Sequence, residues 1–95
     1  MPLVFEWDQR RERANLRKHG VSFTGAASVF ADELARIFAD EIHSADEARE
    51  IIIGHSQSSE LLLVCFAERV GNGIRIISAR RATKREQRDY EDHHN

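Results

Sequence analysis

The stretch Glu60–Arg80, ELLLVCFAERVGNGIRIISAR, contains two apolar segments on either side of a glycine-rich turn. The seven consecutive apolar residues 61–67 predict a strand that is covered on both faces and is therefore central in a sheet. Two glycines flank Asn72, which is typical of a turn, and residues 74–80 predict the next strand. The stretch therefore predicts a β-hairpin whose first strand lies inside the sheet.

The rest of the chain adds three strands and three helices to this hairpin. Residues 3–7, 34–40 and 49–56 predict strands, and residues 9–20, 21–30 and 83–92 predict helices. Asp8 and Ser22 are suitable N-caps, Gly20 a suitable C-cap, and Thr83 with Glu86 has capping-box spacing. The order β–α–α–β–β–β–β–α predicts a single α+β domain over residues 1–95, with one antiparallel sheet, an N-terminal helical pair and a C-terminal helix.

The last predicted helix has almost no apolar face, because Tyr90 is its one large apolar side chain. A helix that is polar on all sides gains little by packing on its own domain. We therefore expect it to lie against something else or to fray when the protein is alone.

Composition excludes several classes of protein. The 95 residues contain one cysteine, Cys65, so no internal disulfide is expected, which suits the cytosol. The start of the chain has no signal-peptide pattern, and the longest apolar run is too short to span a membrane. No phosphate loop, dinucleotide fingerprint, zinc-ligand spacing or nucleophile elbow is present, and we expect neither a metal nor a cofactor.

The net charge of −2 conceals strong segregation of charge along the chain. Residues 9–19 carry five bases and one acid, residues 32–50 seven acids and two bases, and residues 75–88 six bases and one acid. A fold that joins the first and third blocks would have a cationic face, which favours a polyanion such as RNA.

The predicted hairpin also brings charged side chains together. A turn centred on Gly71 and Asn72 places Glu68 opposite Arg75, with Arg49 on the next strand. This row is either a set of cross-strand salt bridges or a carboxylate base between two phosphate-binding arginines.

A basic cluster, formed by Arg80, Arg81, Lys84 and Arg85, lies where the last helix begins. It is either solvated surface or an anion site at a helix N-terminus. Arg80 has the opposite parity to Arg75, so on a regular strand the two face opposite sides. Tyr90 either stacks on a base or anchors the helix, and His19 is either a titrating group or a helix-end cation.

Several motifs resemble the BrnT family of small bacterial toxins. They are FEWD (5–8), NLRKHGVSF (15–23), HSADEAR (43–49) and RIISARRATKRE (75–86). The resemblance implies a RelE-like α+β fold and a metal-independent endoribonuclease that inhibits translation in the cytoplasm. It also implies a cognate antitoxin as partner, usually a BrnA-like ribbon-helix-helix protein that binds DNA.

The resemblance marks six charged residues as site candidates: Lys18, His19, Arg49, Glu68, Arg75 and Arg80. Our hypothesis for their roles is that Glu68 acts as base or orients one, that His19 acts as acid, and that Arg49, Arg75 and Arg80 hold the phosphate. Lys18, Arg81, Lys84 and Tyr90 are further predicted to bind RNA, together with the basic first helix. The alternative is a non-catalytic module that binds nucleic acid or a protein partner.

Overall fold

Eight regular elements form one α+β fold in the computed structural model, which describes residues 2–93. In chain order they are β1 (Val4–Glu6), α1 (Gln9–His19), α2 (Phe23–Ser28), β2 (Arg36–Ala39), β3 (Glu50–His55), β4 (Leu61–Glu68), β5 (Gly73–Arg81) and α3 (Lys84–Asp92). Short 3-10 turns over Val29–Ala31 and Glu41–His43 follow α2 and β2. The predicted succession of strands and helices is confirmed.

The five strands form one sheet in the order β1-β5-β4-β3-β2, with β4 at its centre as its apolar run predicted. Strands β2 to β5 are antiparallel neighbours, whereas β1 is parallel to β5. The prediction of a wholly antiparallel sheet is therefore wrong at this edge. A tight hairpin forces neighbouring strands to be antiparallel, but β1 is joined to β5 through two helices and three strands.

The helix ends form as the residue types predict. Asp8 accepts a hydrogen bond from the Arg10 backbone N–H at 2.8 Å, and Gly20 ends α1 with a φ of 70°. Ser22 caps α2, and Thr83 and Glu86 form a reciprocal capping box at the start of α3. These caps satisfy backbone groups that a helix leaves unpaired at its ends.

The main core lies between one face of the sheet and α2 with the 3-10 turn that follows it. Its largest fully buried side chains are Phe23, Val29, Leu62, Val64, Phe66 and Ile76. Phe30 packs edge-to-face against Phe66, with ring centroids 5.0 Å apart. We call this side of the sheet the core face.

The opposite side of the sheet is covered only in part, by α3. Tyr90 is buried against Ile53 and Leu63, and its hydroxyl donates to Asp32 and to the Leu34 carbonyl, each at 3.3 Å. The expectation that α3 would not pack on its own domain is therefore wrong, because one tyrosine is enough to anchor it. We call this side of the sheet the open face.

Beyond the end of β1, the edge of β5 has no neighbouring strand within the described residues, and the side chain of Asn15 makes hydrogen bonds to the β5 backbone in its place. Its buried side chain accepts from the Ala79 N–H at 3.0 Å and donates to the Ala79 and Val21 carbonyls, each at 2.9 Å. The amide thereby satisfies backbone groups that would otherwise be buried without partners. This contact holds α1 along the second half of β5.

Candidate functional site

A β-bulge in β5 decides which basic side chains share a face. Phe66 pairs with Ile76, but Cys65 pairs with Ser78, so Ile77 is the extra residue. Arg75 lies opposite Ala67 and Arg80 opposite Leu63. Since Ala67 and Leu63 alternate onto one side of β4, both arginines belong to the open face. The predicted opposite parity of Arg75 and Arg80 is therefore wrong.

A cleft of about 490 Å³ crosses the open face. Strands β3, β4 and β5 form its floor, and the end of α1 and the turn after β2 form its sides. It is lined by His19, Asp40, Ile42, His43, Arg49, Ile51, Leu63, Cys65, Ile77, Ser78, Ala79 and Arg80. Two arginines and two histidines thus face one carboxylate, an arrangement that favours an anionic ligand.

Arg49 differs from the other arginines of the sheet and its loops. Its side chain is partly buried, and its Nε is fully buried without a hydrogen-bond partner. Within residues 2–93, no acceptor or carboxylate reaches its guanidinium group. Each of the other five arginines of this set has a hydrogen-bond or ion-pair partner: Arg36, Arg69, Arg75, Arg80 and Arg81. A guanidinium in this state retains its capacity to bind an oxyanion.

Arg80 lines the cleft but is already paired within the protein. Its guanidinium binds the Glu86 carboxylate bidentately at 2.7 and 2.8 Å. This hydrogen-bonded ion pair raises the pKa of Arg80 and lowers the pKa of Glu86 to about 2. Glu86 also accepts from the Thr83 N–H, so it serves as a cap and as a counterion together.

Glu68 does not occupy the predicted position between two arginines. It lies opposite Ile74, one residue from the predicted register, and a one-residue slip moves a side chain to the other face. Its nearest titratable neighbour is Glu50, whose pKa rises to about 7 because it shares a hydrogen bond with Glu68, is partly desolvated and is repelled by its charge. The predicted row of Arg49, Glu68 and Arg75 is therefore wrong.

Arg75 lies on the open face but outside the cleft. It forms an ion pair with Glu6 at 3.4 Å and lines a separate pocket beside Trp7 and Arg11. The predicted cluster of three phosphate-binding arginines is thus divided, with Arg49 and Arg80 in the cleft and Arg75 apart from them.

The remaining predicted residues differ in how accessible they are. His19 lines the cleft at the end of α1. Lys18, the residue before it, and Lys84, the first residue of α3, are exposed. Arg81 binds Glu60 at 2.7 Å and donates to the His19 carbonyl at 2.9 Å. Tyr90 is buried in the anchor of α3, so the predicted role in stacking on RNA does not suit its position.

Sequence reasoning missed a second acidic–basic pair in the cleft. The carboxylate of Asp40 contacts Nδ1 of His43 at 3.0 and 3.1 Å within one 3-10 turn. The Cys65 thiol lies 3.7 Å from the same carboxylate. Burial and the Asp40 charge raise the pKa of Cys65 to about 11, although Arg49 opposes the shift, so the thiol remains protonated at neutral pH. The motif DEIH, residues 40–43, carried the signal, because its ends lie one turn apart.

Within residues 2–93, no group of three or more histidine, cysteine, aspartate or glutamate side chains is arranged to hold a metal ion. None of the helices in this part of the chain has the length and apolar character that a membrane span requires.

Comparison with known proteins identifies the family of the chain. The family model described as "Ribonuclease toxin, BrnT, of type II toxin-antitoxin system" matches residues 7–86. The crystal structure of the Brucella abortus ribonuclease toxin BrnT is similar, with 26% identity and a TM-score of 0.65 over 87% of this chain and 100% of that chain. A comparison with curated proteins gave no match. The resemblance noted in the sequence is confirmed, and the protein belongs to the BrnT family of ribonuclease toxins of type II toxin–antitoxin systems.

Proposed function

We propose that this protein is an endoribonuclease toxin that cuts RNA in the cleft of the open face without a metal ion. Cleavage would inhibit translation in the cytoplasm, and a cognate antitoxin would neutralise the toxin. Family membership supports the ribonuclease class and the existence of an antitoxin. The charge and shape of the cleft support its use as the RNA site.

The unpaired guanidinium of Arg49 carries this proposal. A buried N–H without an acceptor costs roughly 1–3 kcal/mol, and a phosphate oxygen near the guanidinium would offset part of that cost. The neighbouring arginines already have protein partners, so they offer less to a ligand. We therefore propose Arg49 as the main phosphate-binding residue.

The chemistry requires more than one cation. In metal-independent RNA cleavage a base takes the 2′-hydroxyl proton, a cation neutralises the phosphate, and an acid protonates the leaving oxygen. His19 lies in the cleft and is proposed as the acid, and Arg80 supports the RNA once the phosphate competes with Glu86. Such acid–base steps contribute about 10²–10⁴-fold each.

The exposed basic residues around the cleft are proposed to guide the RNA. They comprise Lys18 at the end of α1 and Lys84 at the start of α3. Arg81 is paired with Glu60 and lines a separate pocket, so it would contact RNA only outside the cleft. The acidic segment 32–50 would repel RNA, so the strand should leave the cleft on the side of α1.

The antitoxin is proposed to be a BrnA-like ribbon-helix-helix protein that blocks access to the cleft. On this view the toxin contacts DNA only indirectly, through the antitoxin. Both the acidic segment 32–50 and α3 border the cleft or the groove beside it, so either could contact the antitoxin.

The test is cleavage of a mixed-sequence single-stranded RNA by purified, antitoxin-free protein in EDTA. We expect cleavage that addition of the antitoxin abolishes. The contrary result is salt-sensitive RNA binding without cleavage, both on free RNA and on ribosome-bound RNA. It would favour a non-catalytic nucleic-acid-binding module, since binding alone depends on phosphate contacts.

A further inference from the structure

The turn between β2 and β3 holds an imidazole and a carboxylate in a fixed arrangement. Asp40 is 7% exposed, and both of its carboxylate oxygens lie within 3.1 Å of His43 Nδ1. A buried carboxylate requires hydrogen-bond donors, because its charge is otherwise poorly solvated. Within residues 2–93, no lysine or arginine lies at ion-pair distance from Asp40, so His43 is its main donor.

Backbone contacts tie this turn to the residue that we propose binds phosphate. The Asp40 N–H donates to the Arg49 carbonyl at 2.8 Å, and the Arg49 N–H donates to the Ser44 hydroxyl at 3.0 Å. The Ser44 hydroxyl in turn donates to the Asp40 carbonyl. The imidazole of His43 and the guanidinium of Arg49 are therefore carried by one closed loop of hydrogen bonds at the side of the cleft.

The hydrogen bond to Asp40 determines which ring nitrogen of His43 is available. When Nδ1 carries the proton that is donated to the carboxylate, Nε2 keeps its lone pair and acts as a base. Within the described residues Nε2 has no hydrogen-bond partner, and the side chain is 64% exposed at the cleft. An exposed histidine that only stabilised a turn would have no need to line a cationic cleft.

The charged and titratable groups that line the cleft around His43 come from four elements. They are Arg49 at the start of β3, Cys65 on β4, Arg80 on β5 and His19 at the end of α1. Two of these are arginine cations, and the Cys65 thiol is neutral. Asp40 is the one carboxylate in this lining, so the setting attracts a phosphate towards the imidazole of His43.

We infer that His43, oriented by Asp40, is the general base of the RNA cleavage reaction. The inference rests on the proposed function. Nε2 takes the proton of the 2′-hydroxyl, and the 2′-oxygen forms a bond to phosphorus. The bond between phosphorus and the 5′-oxygen breaks, and that oxygen receives a proton from the general acid. The products are a 2′,3′-cyclic phosphate and a 5′-hydroxyl. Asp40 touches no reacting atom and acts as a positioning residue.

The experiment compares single-turnover cleavage of a single-stranded RNA in EDTA by the parent, His43→Ala and Gln9→Ala, an exposed, uncharged control on α1. We expect His43→Ala to lose about 10²-fold or more in rate. Its affinity for a 2′-deoxy RNA analogue should stay close to that of the parent. Free imidazole should restore part of the rate to His43→Ala, an effect that a turn-stabilising role would not give.

The pH profile supplies a second readout. The parent should lose activity as the pH falls, because protonation of Nε2 removes the base. Asp40→Asn should lower the rate and make the rate less dependent on pH in the acid range. Asp40→Glu should restore part of the rate. His43→Ala takes the main donor away from the buried Asp40 carboxylate, so some loss of thermal stability is expected, and the rates are measured well below the unfolding temperature of each variant.

The outcomes separate the two proposals. If the parent cuts RNA and His43→Ala cuts within a few-fold of it, or imidazole gives no rescue, the inference about His43 is overturned while the proposed function stands. If the parent cuts neither free nor ribosome-bound RNA, the proposed function is lost, and the role of His43 is lost with it.

Discussion

The two faces of the sheet differ in what covers them and in what they expose. On the core face, Phe66, Val64 and Ile76 are each no more than 1% exposed beneath α2 and the 3-10 turn that follows it. On the open face, the same strands present Cys65, Ser78 and Arg80 to a charged cleft. Because successive residues of a strand point to opposite sides, each strand contributes to both faces at once. A substitution on the core face should therefore affect stability. A substitution of the next residue in the strand, which lies on the open face, should affect RNA binding or cleavage.

The largest expected effect is the loss of a core side chain. Phe66→Ala removes a ring that packs against Phe30, and we expect it to lower the free energy of unfolding by about 3–5 kcal/mol. Denaturant unfolding measures the change. Val70→Ala is the matched control, because Val70 is fully exposed and should change stability by less than about 0.5 kcal/mol. Equal effects of the two substitutions would contradict the assignment of the core face.

A somewhat smaller effect is expected at Asn15, which joins the two faces. Asn15→Ala leaves the Ala79 N–H and C=O without partners beside the bulge, which should cost about 2–3 kcal/mol. Cleavage should fall as well, since Ala79 lines the cleft. Arg13→Ala on the same helix is the control. A variant that keeps its stability but loses cleavage would show that Asn15 does not hold β5 through these bonds.

Much of the fold could be predicted from local residue patterns. The caps at Asp8, Ser22 and Thr83 and the central position of β4 depend on neighbouring residues alone. The direction of β1 could not be predicted in this way, because its partner β5 lies about 70 residues away. No local turn fixes that pairing.

The site could be predicted only in part, and the bulge explains why. Residues Arg75 to Arg80 read as a regular strand, but Ile77 is an extra residue that reverses the parity of everything after it. The turn around Gly71 differs by one residue from the expected register, which moves Glu68 off the row. The basic residues were recognised as candidates from their type, whereas their partners Glu6, Glu60 and Glu86 became visible only in three dimensions.

At Glu86 we expect a moderate loss of stability together with a gain in RNA affinity. Glu86→Gln removes the counterion of Arg80, so stability near neutral pH should fall by about 1 kcal/mol after solvent screening. RNA affinity should rise, because Arg80 is freed for phosphate. In the parent, the pKa of Glu86 is lowered to about 2, so this stabilisation is present above the unfolded value near 4.3 and is lost as pH falls towards 2.

Unfolding measured across this acid range should therefore be less pH-dependent in Glu86→Gln than in the parent. Glu91→Gln, an exposed change on the same helix, should leave the profile as in the parent. A profile for Glu86→Gln that matches the parent would exclude the ion pair as the source of this stability.

The smallest effect is expected where the two carboxyl groups of Glu50 and Glu68 meet. The folded state holds a proton on Glu50 more tightly than the unfolded chain, since its pKa is raised to about 7. Stability should therefore decline as pH rises from about 4.3 to 7. Glu50→Gln should remove this decline and raise stability at pH 8 by less than about 1 kcal/mol. Thermal unfolding at pH 5 and pH 8 checks it, and Glu33→Gln is the control.

The central claim is that the unpaired Arg49, rather than the paired arginines, binds the phosphate that is cut. The most direct measurement is the single-turnover rate of RNA cleavage in EDTA by Arg49→Ala beside Arg75→Ala. We predict a loss of about 10²-fold for Arg49→Ala without loss of stability, and at most a few-fold loss for Arg75→Ala, which lies outside the cleft. Equal losses, or a larger loss for Arg75→Ala, would contradict the account.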